Sequence, residues 1–417
     1  MGAGTVVIGT GQAGFQTAAS LREQGYQEPI TLIGEEPYIP YHRPPLSKGF
    51  QVGQQDFESI ELRPEKFYQN HRIELVLAQR VAAIDRATKR VTLGSGAQIP
   101  YEKLVLAVGA RNRVLPIRGA ELDGVLSLRT LDEAVVLKER LANAREIVVI
   151  GGGFIGLEVA SVACTMGKQV TVLEALPRLM SRAVAPVVSE FYEKLHTSKG
   201  VKVICGATVS EIAGASGCVQ KVLLAGGAAF AADLVLVGIG VAPNVELARE
   251  AGLRVTNGIA VNEFLQTDDP DILAIGDCAE HPCVFAGARV RLESVQNAAE
   301  QAQCAAATIA GRRDPYRALP WFWTDQYDVK LQMAGISLGH DQIVMRGKPE
   351  SLKFSVFYFR AGRLAAIDSI NRPVDHMMGR RLIAAGIPVS LEEAADESVD
   401  LKLLAHRGAQ HAVHPPA

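Results

Sequence analysis

No C-x-x-C pair and no paired histidine spacing occur among the six cysteines and nine histidines. Their absence argues against a zinc site, an iron-sulfur cluster held by the chain and a thioredoxin-like dithiol, so no metal is expected. Cys164 and Cys304 fall in alanine-rich helical patterns, where a free cysteine acts as a small apolar residue. No cysteine is assigned a chemical role. The chain also lacks any apolar run long enough to span a bilayer. The longest candidates, Ile147 to Leu157 and Leu234 to Val241, are interrupted by glycine and read as buried parallel strands. Charge of one sign is missing too: 43 basic against 45 acidic side chains give a net charge of -2, which supplies no sequence-wide drive toward nucleic acid or an anionic membrane. Ahead of the first strand, which begins at Thr5, there is no charged n-region, apolar h-region or cleavage site, so a cytoplasmic location is expected. Met1-Gly2 does not continue into a myristoylation motif, because Val6 stands where serine or threonine is required. His406, His411 and His414 read as part of a disordered end near Pro415-Pro416 rather than as a metal tract.

What the chain has in quantity is glycine. With 39 glycines, 48% hydrophobic and 21% charged residues in a length of 417, it has the composition of a soluble α/β protein too long for one hydrophobic core, so two or three domains are expected. An internal repeat organises them. Thr5 to Gly9 is an apolar strand running into Gly9-Thr10-Gly11-Gln12-Ala13-Gly14, a helical pattern to about Gln24, and a second strand, Ile30 to Ile33, ending at Glu35. About 140 residues later the order returns. Ile147 to Ile150 leads into Gly151-Gly152-Gly153-Phe154-Ile155-Gly156, a helix to about Met166, and a strand, Val170 to Leu173, ending at Glu174. In such a loop the first glycine permits the tight turn, the second lets backbone approach a pyrophosphate, and the third lets helix pack on strand. The helix N-terminus then favours an anion through its free N–H groups and dipole. Glu35 follows Gly14 by 21 residues and Glu174 follows Gly156 by 18, near the spacing that sets a carboxylate on ribose hydroxyls. One such loop also serves as a plain strand-to-helix turn. Two complete copies, each with its acid, predict two dinucleotides per chain.

After Val241 the chain returns to the first domain. Thr-Asp-Asp-Pro-Asp leads there into the strand Ile272 to Ile275 and then Gly276-Asp277, where the aspartate suits a polyol such as a ribityl chain, although Gly-Asp is equally a common turn. Beyond Gly311-Arg312-Arg313 the pattern changes to short alternating strands, Val329 to Met333, Gln342 to Met345, Phe354 to Phe359 and Leu364 to Ile367, which predict an antiparallel third domain. Beyond Gly386 no useful signal is read.

GTGQAG, the segment Pro40-Tyr41-His42-Arg43-Pro44-Pro45-Leu46-Ser47-Lys48, GGGFIGLE, LVGIGVAPN and AIGD together resemble the pyridine nucleotide-disulfide oxidoreductase superfamily. The Arg-Pro-Pro-Leu-Ser-Lys stretch narrows the resemblance to the oxygenase-coupled, NADH-dependent ferredoxin reductases, the group that includes the putidaredoxin, rubredoxin and biphenyl dioxygenase reductases. It runs from Thr5 to about Pro373. The fold it implies is α/β, with two Rossmann-like, glutathione reductase-like dinucleotide-binding domains and a C-terminal α+β domain. The boundaries expected are 1–110 with 241–315 for FAD, 111–240 for NADH, and 316–417 for a ferredoxin-facing domain.

For the FAD site the resemblance implies Gly9, Gly11, Ala13 and Gly14 at the pyrophosphate, Glu35 at the adenosine ribose and Val81 at the adenine region. Arg43, Lys48, Arg129, Asp277, Val295, Gln296 and Trp323 are further FAD positions. For NADH it implies Gly151, Gly153, Phe154, Ile155, Gly156, Glu158, Glu174, Arg182 and Gly240. Lys48 and Glu158 are the expected catalytic pair, with Lys48 near flavin N5 and Glu158, in the first helical turn, paired with it. The helix opening at Ser294-Val295-Gln296 is expected at the pyrimidine edge, where its dipole would stabilise negative charge. Glu174 selects the ribose 2′-hydroxyl of NADH over a 2′-phosphate, with Arg178 and Arg182 near enough in sequence to soften the choice. Disulfide members carry a cysteine pair where this chain has Arg-Pro-Pro-Leu-Ser-Lys, so electrons are expected to leave the flavin directly for an outside acceptor, a 2Fe-2S ferredoxin. Trp323, in the segment holding both tryptophans, is the partner-proximal aromatic. Arg63, Lys330 and Arg360 are candidate docking charges. Rival functions are an NADH oxidase, a quinone or small-molecule reductase, a rubredoxin reductase, and a binding protein resembling apoptosis-inducing factor, which the balanced charge does not support.

Overall fold

The computed structural model describes residues 3–411, with side chains described through 406. Met1-Gly2 and His414 lie outside the described residues. By contact density the chain divides into two compact units, Met1–His42, Phe57–Arg111 and Ala242–Phe322 in the first, and Arg43–Asp56, Asn112–Val241 and Trp323–Ala417 in the second.

In the first unit the strands Ile73–Val76, Ile30–Ile33, Gly4–Ile8 and Gln98–Leu106 lie side by side and parallel, and Ile272–Ala274 joins the far side of Gln98–Leu106. Gly4–Ile8 and Ile30–Ile33 are buried at every residue, the signature of a parallel sheet covered on both faces. Gln98–Leu106 also carries the antiparallel hairpin of Val81–Asp85 and Arg90–Leu93. The helices Gln12–Glu23 and Val295–Ile309 pack together through small buried residues, Ala13, Ala18, Ala298, Ala302 and Ala305 among them. These allow close backbone approach.

The second unit contains a parallel sheet in the order Lys202–Cys205, Gln169–Glu174, Glu146–Ile150, Leu234–Val237, Val125–Leu126. It also holds the antiparallel set Val209–Ala215, Cys218–Leu224 and Ala229–Ala231. A five-stranded C-terminal sheet runs Trp321–Gln326, Val329–Gly335, Arg363–Ile370, Lys353–Arg360, Gln342–Lys348. Its centre is Phe354, Val356, Phe357, Tyr358 and Phe359, all at most 1% exposed, so the strand is covered on both faces where alternation alone would leave one face wet.

Two sequence expectations change at the C-terminal end. Helices Leu391–Ala395 and Leu401–His411 follow Gly386, the first opened by a Ser390/Glu393 capping box. Of the histidines expected at a disordered end near Pro415-Pro416, His406 and His411 instead lie in a helix, in which Leu401 and Leu404 are buried, while the end itself is outside the described residues.

Candidate active site

In the first unit the glycine loop is forced into shape by its backbone. Gly9 adopts φ +114°, and a Cβ there would sit 2.2 Å from the Ala107 carbonyl oxygen, while at Gly14 it would lie 1.8 Å from the Gly9 carbonyl oxygen. At Gly11 an added Cβ meets nothing within 4 Å. Gly11 is also the N-cap of Gln12–Glu23 and brings no side chain to it, so no side-chain cap takes the first N–H groups, as a phosphate seat requires. Gly276 carries the turn Gly276–Cys278 against this helix: its Cβ would lie 3.2 Å from that of Ala13 and 3.9 Å from that of Ala298. Asp277 is thereby set beside both the loop helix and the start of Val295–Ile309, whose N-cap Ser294 accepts the Asn297 N–H. Gln296 is buried, and its side-chain oxygen accepts the Trp321 N–H at 3.1 Å. Glu35 is exposed just past Ile30–Ile33, and Val81 is buried at the start of Val81–Asp85.

The loop of the second unit repeats this geometry. Gly151 has φ +111° with a would-be Cβ 2.4 Å from the Gly238 carbonyl oxygen, Gly156 would press on the Gly151 carbonyl oxygen at 2.3 Å, and Gly153 again meets nothing within 4 Å. Gly153 caps Phe154–Thr165 without a side chain. Glu174 reaches back to this loop, accepting the Gly152 N–H at 2.6 Å and the Leu176 N–H at 2.8 Å. Phe154 is half-buried, Ile155 is 44% exposed in the first turn, and Gly240 is exposed with φ +99°, its carbonyl accepting the Arg113 N–H at 3.0 Å. Arg182 is exposed. Arg178 is not available to soften cofactor choice, since its guanidinium donates to the Val184 carbonyl and Ser189 Oγ, both at 2.7 Å, and to the Ser181 carbonyl at 2.8 Å.

Also in the second unit, Pro44–Ser47 forms a 3₁₀ turn that ends at Lys48. Lys48 Nζ stands 2.7 Å from Glu158 Oε2, with Glu158 only 2% exposed. Ser47 Oγ donates to the same oxygen at 2.5 Å, and Thr324 Oγ1 donates to Glu158 Oε1 at 2.7 Å. A buried carboxylate is tolerated on such terms, with a cation and hydrogen bonds on both oxygens. Glu158 is the fifth residue of its helix, which begins at Phe154 and has no acid in its first turn. The expected first-turn placement is thus corrected: side chains, not the helix terminus, meet its charge. The Arg43 guanidinium donates to the Arg129 carbonyl at 2.5 Å, and the Arg129 N–H donates to Glu133, which with Thr130 caps Leu131–Asn143. Trp323 is half-buried on the strand that carries Thr324. Lys48, Glu158, Arg43, Arg129 and Trp323 therefore belong to the second unit, and the remaining expected FAD residues belong to the first.

Ser47 and Thr324 were not read as site residues from sequence. The signal for Thr324 is the period of two in Trp321–Gln326, which puts it with Gln326 on one face, where both are fully buried. Nothing marked Ser47.

The family model of pyridine nucleotide-disulphide oxidoreductases matches residues 4–302. The chain belongs to this family. A second model, reductase C-terminal, matches residues 321–405. Rhodocoxin reductase of Rhodococcus erythropolis is 48% identical over 398 residues, covering 95% of this chain and 93% of the relative. The ferredoxin reductase for the CYP199A2 system from Rhodopseudomonas palustris superposes with a TM-score of 0.94 at 47% identity, over 96% of this chain and 99% of the other. The covalent putidaredoxin reductase–putidaredoxin complex matches with a TM-score of 0.95 at 41% identity, over 98% of this chain and 99% of the other. Against the family name, this oxidoreductase has no cysteine anywhere in Arg43–Asp56, and its six cysteines are all free. Lys48, within that stretch, is instead paired with Glu158. No helix among the described residues is long and apolar enough to cross a membrane.

Proposed function

We propose that this oxidoreductase is a cytoplasmic, FAD-dependent NADH:ferredoxin reductase, with FAD on the first glycine loop, NADH on the second, and a 2Fe-2S ferredoxin serving a cytochrome P450 or Rieske-type oxygenase as acceptor. The domain limits that go with it are 1–110 with 241–315 for FAD, 111–240 for NADH and 316–417 for the partner-facing domain. When bound, the flavin accepts a hydride from NADH and releases electrons singly. The residues fit both groups: each loop leaves its second glycine open and its helix uncapped, as a pyrophosphate needs.

The chain's own work is positioning and charge. Gly151, Gly153 and Gly156 seat the NADH pyrophosphate, Glu174 presents a fixed carboxylate to a ribose hydroxyl, and Phe154, Ile155, Arg182 and Gly240 line the remainder. Gly9, Gly11, Ala13 and Gly14 seat the FAD pyrophosphate, with Glu35, Val81, Arg43, Arg129, Asp277, Val295, Gln296 and Trp323 around the rest. Lys48 would offer a positive charge to the reduced flavin, and Glu158 holds its ammonium in place. The observation that carries the proposal is this ion pair in a segment without cysteine: with no dithiol beside the flavin, electrons go to an outside acceptor. The relatives named as ferredoxin-type reductases support the same acceptor class. Anaerobic titration of the yellow holoprotein with NADH should bleach the flavin, NADPH should do so far less well, and a 2Fe-2S ferredoxin should restore the colour faster than oxygen or a quinone. A chain that cannot be loaded with FAD, or reoxidation no faster with ferredoxin than with oxygen, overturns the proposal.

A further inference from the structure

Beyond Glu158, polar groups continue inward where an apolar core would be expected. Thr324, Gln326 and His196 are all fully buried, yet they touch in series. Thr324 Oγ1 donates to Glu158 Oε1 at 2.7 Å, Gln326 Nε2 donates to Thr324 Oγ1 at 3.3 Å, Gln326 Oε1 faces His196 Nε2 at 2.8 Å, and Tyr327 OH faces His196 Nδ1 at 3.2 Å. The direction of each bond follows from the chemistry of its neighbour. An amide oxygen only accepts, so His196 Nε2 carries the proton; the neutral ring then leaves Nδ1 as an acceptor, and Tyr327 donates to it. Burial pulls the His196 pKa down, which keeps the ring neutral. Every donor in the series points toward Glu158. Hydrogen bonds aligned head to tail polarise one another, and their summed dipole favours negative charge at the accepting end. The far end is Tyr327, half-buried at the turn after Trp321–Gln326, its ring 5.7 Å from Lys199 Nζ.

We propose that Thr324, Gln326, His196 and Tyr327 are positioning residues, a one-way hydrogen-bond chain that fixes the Glu158 carboxylate and so holds Lys48 for reduction by NADH. The inference rests on the assignment of Lys48 and Glu158 to the NADH and flavin site. It also gives the C-terminal reductase segment a part in the reductive half of the reaction, because Thr324 and Gln326 lie on its first strand.

Two arms test it on the full-length holoprotein. In the first, without NADH, ¹⁵N-labelled histidine in the oxidised protein is observed by NMR, with the His196 signal assigned by its loss in His196→Gln. The unaltered chain should show a single neutral tautomer protonated at Nε2. Thr324→Val, which frees the Gln326 amide to turn, should give a mixed tautomer, and Thr324→Ser should restore the single one. In the second arm, stopped-flow separates the reduction rate constant from NADH affinity. Thr324→Val should slow reduction about tenfold, the loss of one hydrogen bond to a charged group, with Gln326→Met slower by about threefold and Tyr327→Phe by less than twofold, in the order of their distance from Glu158. NADH affinity and flavin content should stay near those of the unaltered chain. A mixed or Nδ1-protonated His196 in the unaltered chain overturns the inference, and so do losses without this order or a Thr324→Ser variant as slow as Thr324→Val. Failure of the unaltered flavin to be reduced at all would instead overturn the proposed function, which the NMR arm does not require.

Discussion

The two glycine loops solve one problem with opposite packing. Ile8 pairs with Ile33 in the first copy and Ile150 with Leu173 in the second, so Gly34 and Glu174 hold equivalent places at the strand end. In the first copy the loop residue is the large one: Thr10 lies over Gly34, where an added Cβ would come within 2.5 Å of it. In the second the loop residue is Gly152 and the strand-end residue is large, with Glu174 Oε2 3.1 Å from a would-be Cβ at Gly152. The acid of the second copy is therefore locked to the loop by the Gly152 N–H, while Glu35 stands one place further on and exposed. The same backbone device thus leaves the Glu174 carboxylate fixed in one copy and the Glu35 carboxylate exposed in the other.

The sharpest way to break this comparison is at the third and second glycines. Gly14→Ala places a methyl 1.8 Å from a carbonyl oxygen, and about 3 kcal/mol or more of stability should be lost, with a colourless product on purification. Gly11→Ala meets no protein atom within 4 Å. It should melt with the unaltered chain while holding FAD at least about tenfold more weakly, as read by flavin absorbance after gel filtration. Gly153→Ala should do the same to NADH and leave FAD alone. If the second-glycine variants unfold instead, the open space there is structural and not a ligand seat.

Next in size is Lys48→Met, which strands a carboxylate that is 2% exposed. The expected cost is about 3 kcal/mol in chemical denaturation, with slower flavin reduction, and Glu158→Gln should cost less because no buried charge is left behind. Smaller again is Glu174→Ala. Losing both loop hydrogen bonds should raise the KM for NADH about tenfold and narrow the preference over NADPH, with no change in FAD content. An unchanged KM would mean that the lock on Gly152 carries no part of cofactor choice.

The smallest effect gives the two units opposite responses to pH. Burial pushes the His281 pKa down to about 4 in the first unit, and burial raises Asp368 to about 7 in the second, with the Tyr358 hydroxyl pulling the other way. A histidine that stays neutral when folded costs stability as pH falls from 6.5 toward 4, because only the unfolded chain takes the proton. A carboxyl that keeps its proton when folded contributes below 3.8 and loses that contribution as pH rises through about 7. Over the same range, about pH 4 to 7, His281→Asn should remove a loss of stability on acidification and Asp368→Asn a loss on raising the pH, by about 1 kcal/mol or more each. Slopes unaffected by either substitution would contradict this assignment.

Both loops, the strands and helices around them and the antiparallel sheet were legible because each has a period or a glycine that a local rule reads. The Lys48–Glu158 pair could be named from the segments that carry it. Its supporting hydroxyls could not, since Ser47 and Thr324 are ordinary residues whose role depends on a contact 111 positions away for one and 166 for the other. Arg178 misled for the same reason: sequence placed it near the cofactor acid, but backbone carbonyls of its own loop had already taken its donors. The late helices were passed over because they are short and their apolar stripe is only two or three residues wide.

The path of the chain has a practical consequence. It leaves the first unit after His42, spends Arg43–Asp56 in the second, and crosses again after Arg111, Val241 and Phe322. No single cut releases either unit whole. A fragment spanning 112–241 would keep the second glycine loop and Glu158 yet lack Lys48, Ser47 and Thr324, leaving a naked acid in its core. Modular exchange between relatives should accordingly succeed only when Arg43–Asp56 and the C-terminal sheet travel with residues 112–241.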